Sequence, residues 1–207
     1  LYRHMYKGET YKAAIDEFLW IPPQPAPVIV ITGGDGAGKK TLTAHLRGAL
    51  RASGVPVWSI DYPRQVFRHG PRMDVPDRIY ALLHAGHRLT PRQLSGEYVH
   101  DRDCAKGITH HLQRKGVVQI LDRYYVDNWP YQGARLPPED LKPFIEELRY
   151  QELEVNGIPP ATLVLYVDVP VEVAHEAMVR EGRVLDRNEQ DLQFKRRVRA
   201  IYNQLAD

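Results

Sequence analysis

Apolar positions along the chain fall into two repeating patterns. Val28 to Thr32 is an unbroken apolar, β-branched run, as suits a strand buried on both faces of a parallel sheet. Further apolar-rich runs at Val55 to Ile60, Val117 to Leu121 and Leu163 to Val169 predict three more strands. Helical patterns lie between them. One runs from Lys39 to about Ala52, ended by Gly54. Thr90-Pro91-Arg92-Gln93 is a capping box with proline at the first helical position, and its helix is expected to reach Lys115 and stop at Gly116. Asp186-Arg187-Asn188-Glu189 is a second box, expected to open one helix that continues to the end of the chain. Alternating strands and helices predict an α/β fold with a parallel sheet and right-handed crossovers. Such a sheet usually has one more strand after that last helix, so a further C-terminal strand is expected.

The N-terminal stretch is patterned differently. Residues 5 to 20 read as a short amphipathic helix with Ala14, Phe18 and Leu19 on one stripe and Ile15 beside it. Ile21 to Pro27 is proline-rich and reads as a stiff, extended connector. His4-Met5 reads as a cloning scar followed by a natural start. Residues 1–27 are therefore set apart as an extension, and the compact domain is expected to cover 28–207.

Composition narrows the picture further. The 207 residues suffice for one well-buried domain. The net charge of +2 gives no reason to expect a nucleic-acid partner. No apolar run approaches the ~20 residues that span a bilayer. Glu9, Asp16 and Glu17 interrupt any signal-peptide core. The single cysteine, Cys104, is expected to be an inert thiol packed in a helix, which fits a reducing, cytoplasmic compartment.

The chemistry begins where the first strand ends. Gly33-Gly34-Asp35-Gly36-Ala37-Gly38-Lys39-Lys40, followed by Thr41, holds most of the Walker A pattern, between a buried strand and a helix. Glycines let successive N–H groups turn toward an anion, and the helix N-terminus adds partial positive charge. Lys39 supplies a full charge for the β- and γ-phosphates of ATP. The pattern wants Ser or Thr after that lysine, and this chain has Lys40. A charged lysine cannot ligate Mg²⁺. The metal is then expected on phosphate oxygens, water and carboxylates such as Asp122, with Thr41 contacting a phosphate.

From here the chain resembles the thymidylate kinase family of P-loop nucleoside monophosphate kinases. Gly-Gly-Asp-Gly-Ala-Gly-Lys is similar to its phosphate loop, and Asp61-Tyr62-Pro63-Arg64 to its Phe-Pro-Arg. Glu97 to Arg102 resembles its Phe-x-x-x-Arg helix and Asp122-Arg123-Tyr124 its Asp-Arg-Tyr, with Tyr131-Gln132-Gly133 following at the expected spacing. Arg183 to Arg187, Glu189 and the stretch from Phe194 to Tyr202 resemble the lid and final helix, with the lid near 178–188.

The resemblance implies a three-layer α/β/α P-loop fold, a homodimer packed through helices such as the one from Thr90, and transfer of the γ-phosphoryl of ATP to dTMP. It also implies roles. Arg123 and Arg64 would hold the acceptor phosphate, since guanidinium binds phosphate in a fork and keeps its charge. Pro63 and Tyr62 would shape the base pocket. Tyr98 would stack on thymine while Arg102, on the same helical face, donates to its carbonyl. Asn128 would touch the base, beside Asp127, where many relatives have serine. Tyr131 would crowd the 2′ position, and Asp35 would align the sugar or acceptor. Some members carry a basic residue within the phosphate loop, where this chain has Gly36 and Ala37. The lid must then supply cations, with Arg180 and Arg183 as candidates and Arg187 behind them. Ala177 stands where an arginine is common in the family. A kinase of another deoxynucleoside monophosphate or of a deoxynucleoside, and a non-catalytic nucleotide-binding domain, stay open as alternatives. A GTPase is disfavoured, because no Asn-Lys-x-Asp motif is present.

Overall fold

The computed structural model describes residues 25–63, 77, 79, 81–82 and 89–206. The expected N-terminal helix, most of the proline connector and Arg64 lie outside the described residues.

In chain order the elements are β1 (Val28–Gly33), α1 (Lys39–Ala52), β2 (Val57–Asp61), α2 (Pro91–Arg114), β3 (Val118–Asp122), α3 (Tyr125–Gly133), α4 (Pro138–Arg149), β4 (Leu163–Val167), α5 (Val171–Arg180), α6 (Arg187–Gln190) and α7 (Leu192–Ala206). A π-helical turn, Tyr150–Val155, extends α4. The four strands among the described residues form one parallel sheet in the order β2-β3-β1-β4.

The apolar runs predicted this sheet, with edges displaced by a residue or two. β2 starts at Val57 because the N–H of Val55 still closes the end of α1 on Leu50 O (3.0 Å). β4 ends at Val167, before Pro170 sets the start of α5. The Thr90 box is formed as expected, with Thr90 Oγ1 accepting from Gln93 N at 3.2 Å. The single helix expected from Asp186 onward is two helices. The chain breaks at Asp191 (φ −81°, ψ 92°), whose Oδ1 accepts from Phe194 N (2.9 Å) and starts α7 anew.

Period-two alternation gives the sheet two buried faces. Val28, Val30, Ile60 and Leu121 share one face and pack with Ala105 of α2 and Tyr125 of α3. Tyr166 of β4 continues that face toward Phe194, Val198 and Tyr202 of α7. Ile31 and Ile120 point the other way and are fully buried. On that side Arg47 of α1 donates to Ser59 of β2 (3.1 Å). Each of these buried aliphatic side chains contributes about 1.5–3 kcal/mol relative to exposure. The result is the expected α/β/α layering. Because all four strands are parallel, Gly33, Asp61, Asp122 and Val167 end at one edge of the sheet, where open α/β sheets bind their ligands.

Candidate active site

The phosphate loop leaves β1 through backbone that only glycine adopts easily. Gly36 has φ +84°, and a Cβ there would sit 2.4 Å from Ala174 O and 2.8 Å from Met178 Cγ, both of α5. Gly38, in the left-handed region (φ 88°), occupies the N-cap position of α1. The loop therefore curls tightly against α5 and hands the chain to a helix whose free N–H groups face the cavity.

Lys39 is buried at the start of α1, and its Nζ donates to Gly33 O (3.0 Å) and Gly34 O (2.8 Å). Its pKa is lowered to about 8, first by burial and then by the neighbouring Arg123, against the pull of Asp35, Asp122 and Asp127. Lys39, Lys40, Thr41, Asp61, Asp122, Arg123 and Arg183 face one cavity of ≈ 540 Å³.

Arg123 follows β3 with a left-handed backbone (φ 69°), rare for a residue with a side chain. Its N–H donates to Ile31 O (3.0 Å), which ties this turn to β1. The guanidinium pairs with Asp35 and lies over the Tyr131 ring, 4.9 Å from its centroid. Tyr131 Oη donates to the other Asp35 oxygen at 2.9 Å. Burial works against the Asp35 carboxylate, but Arg123, Lys39, the Tyr131 hydroxyl and Lys195 together hold its pKa below the usual range.

Asp122 has its pKa raised, mainly by burial, and lies beside Asp61 in the strand register. These two carboxylates, together with phosphate oxygens and water, fit the oxygen coordination Mg²⁺ takes in kinase sites. No cluster of three or more protein ligands occurs among the described residues.

A second cavity, of ≈ 180 Å³, opens on the other side of Arg123. Asp35, Tyr62, Pro63, Tyr98, Arg102, Arg123, Asn128 and Tyr131 all line it, so the residues singled out on separate motifs converge there. Tyr62 and Pro63 are joined by a cis peptide bond, and the Tyr62 ring packs on Tyr124 at 5.4 Å. Tyr98 has its pKa raised by burial.

Two expectations change. Arg102 was to offer its fork to the base, but Nε and Nη2 are held by Glu152 at 2.6 and 2.8 Å, and only Nη1 takes no part in that pairing. Asp127, beside Asn128, is a structural hub. It accepts from Thr32 Oγ1 (2.8 Å), Tyr202 Oη (2.7 Å) and Tyr124 N (2.9 Å). Of the lid cations, Arg183 faces the phosphate cavity and pairs with Glu189 at 2.7 Å. Arg180 is exposed and lines neither of these cavities, and Arg187 is exposed at the start of α6. Cys104 is half-buried within α2, as expected, with Sγ 3.9 Å from His100 Nε2.

The sequence reading missed Glu152, Lys195 and Tyr202. Lys195 is a buried ammonium with no hydrogen-bond partner among the described residues, held near Asp35 and Glu189. Nothing local in the sequence marks any of the three, since their partners lie on other elements. Asp61 was within reach, because it closes β2 beside Asp122 just as β3 closes on that residue.

Comparison with known proteins agrees with this geometry. The family model described as thymidylate kinase matches residues 31–207. A thymidylate kinase of Mycobacterium tuberculosis is 30% identical over 194 residues, covering 86% of this chain and 85% of that protein. A probable thymidylate kinase of Archaeoglobus fulgidus is 27% identical over 182 residues, covering 87% and 82%. One from Akkermansia muciniphila is 29% identical over 157 residues, covering 75% and 68%. No helix among the described residues is long and apolar enough to cross a membrane.

Proposed function

The chain belongs to the thymidylate kinase family, and on that premise we propose that it moves the γ-phosphoryl group of ATP onto the 5′-phosphate of dTMP, giving dTDP and ADP. One observation supports this reading most strongly. The phosphate-loop cavity and the smaller cavity share Asp35, Tyr62, Pro63 and Arg123 as a common wall. Two phosphorylated ligands would thus meet end to end at Arg123.

Each side chain then has a task. Loop N–H groups and Lys39 hold the ATP phosphates. Arg123, fixed by Asp35 and stacked on Tyr131, holds the acceptor phosphate in line. Arg64 joins Arg123 in that task. Arg183, swung from Glu189 by lid closure, adds positive charge where it builds up in the transition state. Arg180 would reach the ATP side only with the lid closed. Tyr98 stacks on the base, and Tyr131 crowds the 2′ carbon. Mg²⁺ bound with ATP would lie near Asp122 and Asp61 and offset phosphate charge. As in the family resemblance, the working form would be a cytoplasmic homodimer packed through α2.

The test is a coupled assay of ADP release with dTMP, dUMP, dCMP, dGMP and thymidine. The expected order places dTMP ahead of dCMP by orders of magnitude and ahead of dUMP by about 1–3 kcal/mol in transition-state free energy. A preference for free thymidine, for another base, or no turnover with any of them would overturn the proposal.

A further inference from the structure

Glu152 inverts the ordinary order of its surroundings. Tyr150 and Val155 on the same turn are 64% and 63% exposed, while the acid between them is 0% exposed. The turn is a π-helix, closed by an i→i−5 bond from Asn156 N to Gln151 O (2.9 Å). Such widened turns re-aim single side chains and recur at functional sites. A buried carboxylate needs a partner, and Glu152 has Arg102, itself 3% exposed. Two parallel bonds, Nε to Oε2 at 2.6 Å and Nη2 to Oε1 at 2.8 Å, fix the guanidinium plane. Nη1 takes no part in this pairing.

Asn128 stands beside this pair. Its Nδ2 donates, at long range, to Ser95 O (3.4 Å) and to Glu152 Oε1 (3.5 Å). Both neighbours are acceptors only, so they take the amide NH₂ and leave the carbonyl to face elsewhere. Asn128 Oδ1 is buried and has no hydrogen bond among the described residues. Arg102 and Asn128 both line the smaller cavity. That wall therefore presents a donor from Arg102 and an acceptor from Asn128, each set by the same carboxylate.

We propose that Glu152 is a positioning residue that sets the hydrogen-bonding polarity of the base pocket, orienting Arg102 as donor and Asn128 as acceptor toward a pyrimidine imide edge. The inference rests on reading that cavity as the base site. An imide offers a carbonyl acceptor next to an N–H donor and matches this wall. Cytosine offers an amine donor next to a ring-nitrogen acceptor and meets it with both signs reversed. Glutamine at position 152 keeps the shape but carries an NH₂ of its own. It would donate to Asn128 Oδ1 and let that amide turn over.

The experiment compares kcat/KM for dTMP, dUMP and dCMP in wild type and Glu152→Gln, with KM for ATP measured alongside. The expected result is a fall of about tenfold or more in the dTMP/dCMP ratio, with the dTMP/dUMP ratio and KM for ATP unchanged. An unchanged dTMP/dCMP ratio, even with lower thermal stability, would make Glu152 merely structural and overturn the proposal. A wild type that does not prefer dTMP to dCMP would instead sink the reading of the cavity itself. Should Glu152→Gln not fold, Arg102→Met/Glu152→Met removes both buried charges together. Loss of the dTMP preference in that protein supports the proposal, and its retention overturns it.

Discussion

Lys39 gives ATP binding a pH dependence whose sign and size can be worked out in advance. Burial, then Arg123, lowers its pKa from 10.5 to about 8. Polyphosphate placed against the amine restores the charged form, so the complex holds a proton that the free enzyme loses as pH rises through about 8. Binding therefore takes up a proton and weakens with rising pH. For a group with a pKa of about 8 that stays protonated in the complex, affinity falls by about tenfold between pH 7 and pH 9, or about 1.4 kcal/mol. At pH 8 about half a proton is taken up per ATP bound. The assay is calorimetric titration with a non-hydrolysable ATP analogue and Mg²⁺ at pH 8 to 9, in buffers of different ionisation heat. Lys39→Met serves as control: weaker binding, no linked proton and no turnover. Zero proton uptake by the wild type at pH 8, or an equal slope in Lys39→Met, would refute the argument.

Two other substitutions test the frame around the site. Asp127→Ala strands three donors at once, Thr32 Oγ1, Tyr202 Oη and Tyr124 N, and is expected to cost about 3–5 kcal/mol in urea unfolding; an unmoved midpoint would show that the hub carries no stability. Lys40→Thr places a hydroxyl where the Walker pattern has its metal ligand, so half-maximal activity is expected at lower Mg²⁺. An unchanged magnesium titration, or an inactive variant, would instead make Lys40 a phosphate-neutralising cation.

The parts of this protein that were legible in its sequence are those whose signal is local. Val28 to Thr32 states its own burial, Gly36 and Gly38 state their backbone, and Thr90 and Asp186 announce helix starts through contacts three residues away. Asp191 carries the same kind of signal, an acid three residues before Phe194 N, yet the stronger box at Asp186 masked it. The residues that converge on the smaller cavity were also singled out, because each sits on a short motif at the end of a strand or on one helix face. What stayed hidden is pairing across the fold. Arg102 and Glu152 are 50 residues apart, Arg123 and Asp35 are 88 apart, and Tyr202 reaches Asp127 from 75 away. Sequence spacing says nothing about such pairs until the sheet order has brought their elements together. The same holds for Arg180, whose residue type suited a lid cation but which, exposed at the end of α5, lines neither cavity.

On the proposed mechanism, the close fit of Gly36 against Ala174 and Met178 also bears on when ATP can be wasted. Position 36 has a left-handed backbone and a carbonyl 2.4 Å from where its Cβ would sit, so no side chain, basic or otherwise, can be added to the loop there without displacing α5. On the proposed mechanism, the cation that a basic side chain at this position would bring is supplied from the lid, by Arg183. Bound ATP would then lack that charge until Arg183 left Glu189, and its hydrolysis would lack the acceleration the cation brings. On that reading the packing of one glycine would work as a safety catch, tying the full rate of bond cleavage to a closed lid and suppressing idle turnover while the acceptor is absent.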